Sequence, residues 1–229
     1  GFVFPVAIDR DILVTASPRS DSRVSVHALD YDSTEQFDLS ELRPGSDEGW
    51  SIYPKGVAAV LMGEGYQLSG FDAVFSGSVP IGAGLSSSAA LEVATATVFC
   101  AFSGLDIPGP SLARLCQRAE NEYAGVQCGI MDQFISCMAE ADSALLLDCR
   151  SLEYESVPLV LGDHALVIAN TNKPRGLVDS EYNTRRRECE EGVAAFAEVL
   201  DGVSSLRDVS TDQFDTVASR LGGLVRRRC

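Results

Sequence analysis

The stretch Val79–Glu92 reads VPIGAGLSSSAALE. It lies between an apolar strand-like run, FDAVFSG at 71–77, and an alanine-rich run that continues to Phe102. Gly82 and Gly84 let the backbone take positive φ and approach a ligand without interference from a Cβ. Ser86, Ser87 and Ser88 then bring hydroxyls and amide N–H groups to the point where a helix begins. A helix start carries orphan N–H donors and roughly half a positive charge, so an anion is favoured there. The plain alternative is a helix start with a serine cap, which would account for a bare GxG. PxGxGLxSSAA between a strand and a buried helix points further, to a phosphate cradle. It is not a Walker A loop, because GxxxxGK[ST] is absent, and it lacks the third glycine of the Rossmann fingerprint.

Outward from this loop, the opening GFVFPVAIDRDILVTASPR reads as two strands joined at Asp9–Asp11, and VSVHALDY at 24–31 continues the β-rich character. Residues 32–50 are polar, with a Pro44-Gly45 turn signal, and read as loop plus a short strand. A helix starts near Tyr53, with Pro54 tolerated in its first turn. Residues 86–102 are apolar nearly all round, the pattern of a buried helix, and Gly104 is placed to end it. Ser111 is expected to cap the next helix, which Gly125 would end. GIMDQFISCMAEA at 129–141 is again helical, and SALLLDCR (143–150) and HALVIANT (164–171) read as strands. SEYNTRRRECEEGVAAFAEVL at 180–200 is a long amphipathic helix, and 210–229 is another, interrupted at Gly222-Gly223. A β-rich first third, then helices, with strands returning late, predicts an α+β fold rather than regular βαβ alternation.

The 229 residues carry 18 basic and 33 acidic side chains, a formal net charge of −15, with 45% hydrophobic residues. The chain can bury a sizeable core. Its charge argues against nucleic-acid or anionic-membrane partners, which need a basic face, but a local loop can still bind phosphate. No apolar run approaches the roughly 18 residues of a membrane span. The seven cysteines are scattered without a CxxC pair, and with only two histidines a zinc site is disfavoured. Reduced thiols and a cytoplasmic location are the expectation.

The loop resembles the phosphate loop of the GHMP small-molecule kinases, which implies that ATP lies over residues Gly82, Ala83, Gly84, Leu85, Ser86, Ser87 and Ser88. CGIMDQFIS at 128–136, DCRSLE at 148–153 and SEYNTRRRECE at 180–190 are similar to the galactokinase branch of that family, in order and with compatible spacing. The likeness implies a two-domain fold. A mixed-sheet domain packed with helices would span residues 1–160, and the start of a second α+β domain residues 161–229. The opening GFVFPVAID resembles the residues that follow the branch's first signature. The sugar-gripping first signature and the glycine-rich third signature are not found, so a chain truncated at both ends and inactive by itself is expected.

Residue by residue, the resemblance makes Asp132 the catalytic carboxylate beside the C1 hydroxyl of D-galactose. It would act either as base or as electrostatic orienter. Gly129 would approach the sugar through its backbone, and Tyr182 would hydrogen-bond a sugar hydroxyl. Ser88 and Glu120 match the two ligands of Mg²⁺, hard oxygen donors beside the phosphates. Without the resemblance, Asp132 reads as a cap or an arginine partner and Glu120 as a solvated helix residue. Trp50 and Tyr53 fall where the family places residues near adenine, although core packing explains an aromatic there equally simply. The Arg185–Arg187 run reads as a solvated face making i,i+4 pairs. The implied reaction is ATP-dependent phosphorylation of galactose at C1. The alternatives are a kinase for a related sugar such as N-acetylgalactosamine and a non-catalytic galactose/ATP-binding regulator. Oligomeric state is left open, monomer included.

Overall fold

The structure, a computed structural model, describes residues 1–42, 49–170 and 181–229. The Pro44-Gly45 turn and Ser180 lie outside the described residues. The chain forms two compact units, Phe2–Arg175 and Gly176–Cys229 (the latter with Gly1).

In the first unit, β2 (Ile12–Pro18), β3 (Arg23–Ala28), β4 (Ser33–Asp38) and β5 (Phe71–Gly77) form one sheet in the order β2-β5-β3-β4. β5 runs antiparallel to β2, from Ile12↔Gly77 to Pro18↔Phe71, and parallel to β3, from Val24↔Phe71 to Ala28↔Phe75. The sheet is therefore mixed. Its buried face follows the two-residue period: Val24, Val26, Phe71, Ala73 and Phe75 are all buried and belong to one core. A second, antiparallel sheet pairs β1 (Phe2–Val3) with β6 (Ser143–Asp148) and β6 with β7 (Tyr154–Pro158).

Helices α1 (Ile52–Gly63), α2 (Ser87–Ser103), α3 (Gly109–Ala119) and α4 (Met131–Met138) pack on one another and supply most of the remaining core. α2 lies among α1, α3 and α4, which explains the all-round apolar pattern of 86–102. Gly104 ends it in the left-handed region at φ 65°, and Gly125 closes the segment after α3 at φ 71°, both as the sequence predicts. α1 and the segment just after α3 approach closely at Gly56, where an added Cβ would stand 2.9 Å from Tyr123 Cβ. β5 hands the chain to the glycine–serine loop. Its last residue is held by Asp30, whose Oδ2 accepts from the Gly77 N–H at 2.7 Å, and Ser78 is tied to Asp11 on the other side.

Two sequence expectations fail. Ser111 does not cap α3: the helix starts at Gly109 after Pro108, with Pro110 in its first turn, so a preset proline φ replaces the serine cap. Residues 164–170 form no strand among the described residues, and Leu166, Val167 and Ile168 are exposed. An apolar, β-prone run becomes a strand only where a partner edge accepts its hydrogen bonds. β7, which the sequence reading passed over, finds that edge on β6 instead.

The second unit contains α5 (Glu181–Ala197), α6 (Thr211–Val217) and α7 (Gly223–Arg228). Ser210 and Gln213 form a capping box at the start of α6, and the break at Gly222-Gly223 falls as expected. Phe196 and Phe214 pack with ring centroids 5.8 Å apart, and Arg228 Nε reaches Glu188 Oε2 at 2.7 Å. Arg186 pairs with Glu190 at i,i+4, the pairing read for the arginine run. No helix among the described residues is long and apolar enough to cross a membrane.

Candidate active site

The loop between β5 and α2 is built from left-handed backbone. Gly82 has φ 68° and Gly84 φ 77°, and Ser86, a non-glycine residue, is held at φ 62°, ψ 34° as the residue before the helix. A residue preceding a helix normally takes extended backbone and caps the first turn with its side chain. Ser86 does neither, since its hydroxyl makes no capping bond. Ser86 thus leaves the N–H groups that open α2 without its own side-chain cap, and its left-handed backbone carries a strain of about 1–2 kcal/mol. At Gly82 an added Cβ would meet nothing within 4 Å, so packing does not demand a glycine there.

Two residues into α2, Ser88 turns inward. Its hydroxyl donates to Glu120 Oε1 at 3.0 Å across 32 positions of sequence. Glu120 is only 6% exposed, so it is not the solvated glutamate that helix position alone suggests. It stands where α3 loosens into one π-type turn, Glu120–Ala124, an irregularity frequent at functional sites. Its second oxygen, Oε2, accepts from Gln133 Nε2 at 2.6 Å and from Cys128 Sγ at 3.2 Å.

Gln133 is fully buried on α4, one position after Asp132, and its Nε2 also donates to Glu92 Oε2 at 3.0 Å. Glu92 comes from the middle of α2 and is itself fully buried. Burial first, and then the nearby Glu120 carboxylate, push the Glu92 carboxyl well above its ordinary 4.5, outweighing the hydrogen bond from Gln133. Both causes favour its protonated form. The same two causes, burial and then Glu120, push up the Cys128 thiol and the buried Tyr53 hydroxyl. Both remain protonated at neutral pH.

The structure thus brings Ser88 and Glu120 into direct contact. It places Asp132, half-buried, in the first turn of α4, beside Gln133. Gly129 is exposed in the connection just before α4. Tyr182 lies at the start of α5 in the other unit, 47% exposed. Trp50 stacks on Tyr31 with centroids 6.2 Å apart and planes 5° from parallel. A cleft of about 470 Å³ adjoins Gly84, Leu85 and Ser86, but its other walls are mainly apolar, and Ser88, Glu120 and Asp132 do not line it. The cleft and the side-chain cluster are thus adjacent but distinct features.

As a donor set for Mg²⁺, Ser88 Oγ and Glu120 Oε1 fit. They are hard oxygens on one spot next to the uncapped helix start, and Mg²⁺ commonly takes one or two protein oxygens plus phosphate and water. The residues that sequence reasoning missed are Glu92 and Gln133. Glu92 is the only charged residue between Ser86 and Phe102, and that isolated charge in an apolar helix was the available signal.

Residues 53–140, which span α1 to α4 and the loop, match the GHMP kinases N terminal domain. The chain as a whole extends well beyond that match. It is 48% identical to a galactokinase of Roseiflexus sp. over 213 residues, covering 93% of this chain and 54% of that protein. The crystal structure of Lactococcus lactis galactokinase complexed with galactose superposes with TM-score 0.93 at 38% identity. That match covers all of this chain and 60% of the other. Methanococcus jannaschii mevalonate kinase, at 16% identity and TM-score 0.52 over 65% of this chain and 47% of its own, shares the fold. The chain spans just over half the length of the curated galactokinase it matches.

Proposed function

We propose that this chain is the nucleotide-binding and catalytic portion of a galactokinase. The reaction moves the γ-phosphoryl group of ATP to the C1 hydroxyl of α-D-galactose, giving galactose 1-phosphate and ADP. The observation that carries the reading is the Ser88–Glu120 pair at 3.0 Å beside a helix start left uncapped. The 48% identity to a galactokinase and the likeness to a galactose-bound one support galactose as the sugar.

The phosphates lie against the Gly82–Ser88 backbone, where α2 offers N–H donors and its positive end. Ser88 and Glu120 hold Mg²⁺, which when bound neutralises charge on the phosphate oxygens. Asp132 faces the C1 hydroxyl and takes its proton or orients it. A loose phosphoryl-transfer transition state makes modest demands on the nucleophile, so positioning is the larger part of the task. Gly129 approaches the sugar through its backbone.

The test is product identification with the full-length protein. Incubation with ATP, Mg²⁺ and galactose should give ADP in step with galactose, and one new phosphomonoester whose phosphorus couples to the anomeric proton. Equal ADP release with and without galactose, or phosphorylation of N-acetylgalactosamine in preference, would overturn the reading.

A further inference from the structure

We propose that Gln133 is a positioning residue for the metal-binding carboxylate: its side-chain amide, anchored on Glu92, holds Glu120 so that Oε1 faces Ser88. The proposal rests on the reading of Ser88 and Glu120 as metal ligands.

The geometry leaves the amide one orientation. Its nitrogen lies 2.6 Å from Glu120 Oε2 and 3.0 Å from Glu92 Oε2, and it has two hydrogens to give. Turned over, the amide would set an oxygen against the Glu120 oxygen. Both hydrogens are therefore committed, one to each acid, and Gln133 bridges α2 to the π-type turn that carries Glu120. The three residues lie 41 and 13 positions apart along the chain. Cys128 adds a second donor to the same Glu120 oxygen. With Oε2 occupied from the buried side, only Oε1 is turned to the Ser88 hydroxyl.

A small cation that demands near-octahedral ligands gains from a carboxylate that cannot rotate. Outer partners of metal ligands, when removed, typically lower metal affinity 10–100-fold. Gln133 also directly follows Asp132 on α4, so one helical turn fixes both the metal-side carboxylate and the sugar-side one. A merely structural role, satisfying a buried Glu92, predicts lost stability with unchanged metal affinity.

The experiment uses the full-length protein with Gln133→Met, which keeps the length and removes both donors, and Gln133→Asn, whose amide is too short to reach Glu120. Mn²⁺ affinity in the presence of ADP is read from the electron paramagnetic resonance signal of free Mn²⁺, and galactose affinity by calorimetry. The expected result is Mn²⁺ binding weakened at least tenfold in either variant that folds, with galactose affinity within twofold of the parent. Mn²⁺ affinity within twofold of the parent in a folded variant overturns the proposal. A parent that binds Mn²⁺–ADP but no galactose overturns the sugar reading alone, and the Mn²⁺ comparison still decides the role of Gln133. A parent that binds no Mn²⁺–ADP overturns both.

Discussion

Glu92 offers a sharp physical test, because its environment and not its chemistry sets its charge. Replacing it by Gln substitutes a neutral isostere for a carboxyl whose neutral form burial and Glu120 favour. The amide oxygen can still accept from Gln133 Nε2. The amide nitrogen then falls where Glu92 Oε1 now lies buried without a partner, as the acid's own hydroxyl would. Below pH 4.5, where the unfolded chain also keeps the Glu92 proton, the variant should therefore match the parent within about 1 kcal/mol.

At higher pH the two must part. The unfolded chain releases the Glu92 proton near 4.5, while the folded chain keeps it until well above that value. In that window the folded state binds one more proton, so parent stability falls as pH rises, by at most about 1.4 kcal/mol per pH unit. The Gln variant has no such slope. For as long as the folded carboxyl stays protonated, each unit of pH separates the curves by up to about 1.4 kcal/mol, or about 0.7 M in urea midpoint for a slope near 2 kcal/mol per M. Tyr53, Cys116 and Cys128, which also face Glu92, are themselves pushed up and stay neutral across the window. Glu120 and Asp132 are the acids whose fields reach Glu92. The assay is urea unfolding from pH 5.5 to 7.5, followed by the fluorescence of Trp50, the single tryptophan, which lies in the unit that contains Glu92. A difference between the two proteins that stays flat over this range would refute the reasoning.

Asp132→Asn should lower turnover of the full-length protein roughly 10²–10⁴-fold while nucleotide affinity stays within twofold. A variant retaining a tenth of parental kcat would remove Asp132 from the chemistry. Gly82→Ala separates a cradle from a turn. The φ of 68° and the empty surroundings predict a stability loss of only about 1–2 kcal/mol. If phosphates lie on this backbone, the methyl group also raises the KM for ATP at least tenfold with the galactose KM unchanged. An unchanged ATP KM would make the loop a turn and nothing more.

Much of the local architecture was legible because its causes are local. Glycine at a left-handed helix end is a backbone requirement, so Gly104 and Gly125 mark their termini in the sequence itself. The two-residue period of FDAVFSG and the all-round apolarity of 86–102 report how many faces each element buries. The cap expected at Ser111 failed for a local reason, the prolines beside it, whereas the strand expected at 164–171 depended on a partner. HALVIANT has the composition of a strand, but hydrogen bonding needs an edge, and β6 pairs with Tyr154–Pro158 instead. The parallel pairing of β3 with β5 was equally invisible, since it joins segments about fifty residues apart.

The candidate site divides along the same line. The sequence by itself determined the glycine–serine loop and its place before a helix, because positive φ and a helix start are written within ten residues. It also supplied Ser88, Glu120 and Asp132 as candidates through their resemblance to known motifs. Only the tertiary structure decided that Ser88 meets Glu120, that Gln133 spans Glu120 and Glu92, and that burial favours the protonated form of Glu92. Those facts come from burial and from contacts 13 to 41 positions apart. A side chain's charge and direction are set by what surrounds it in space, and that enclosure exists only once the helices have packed.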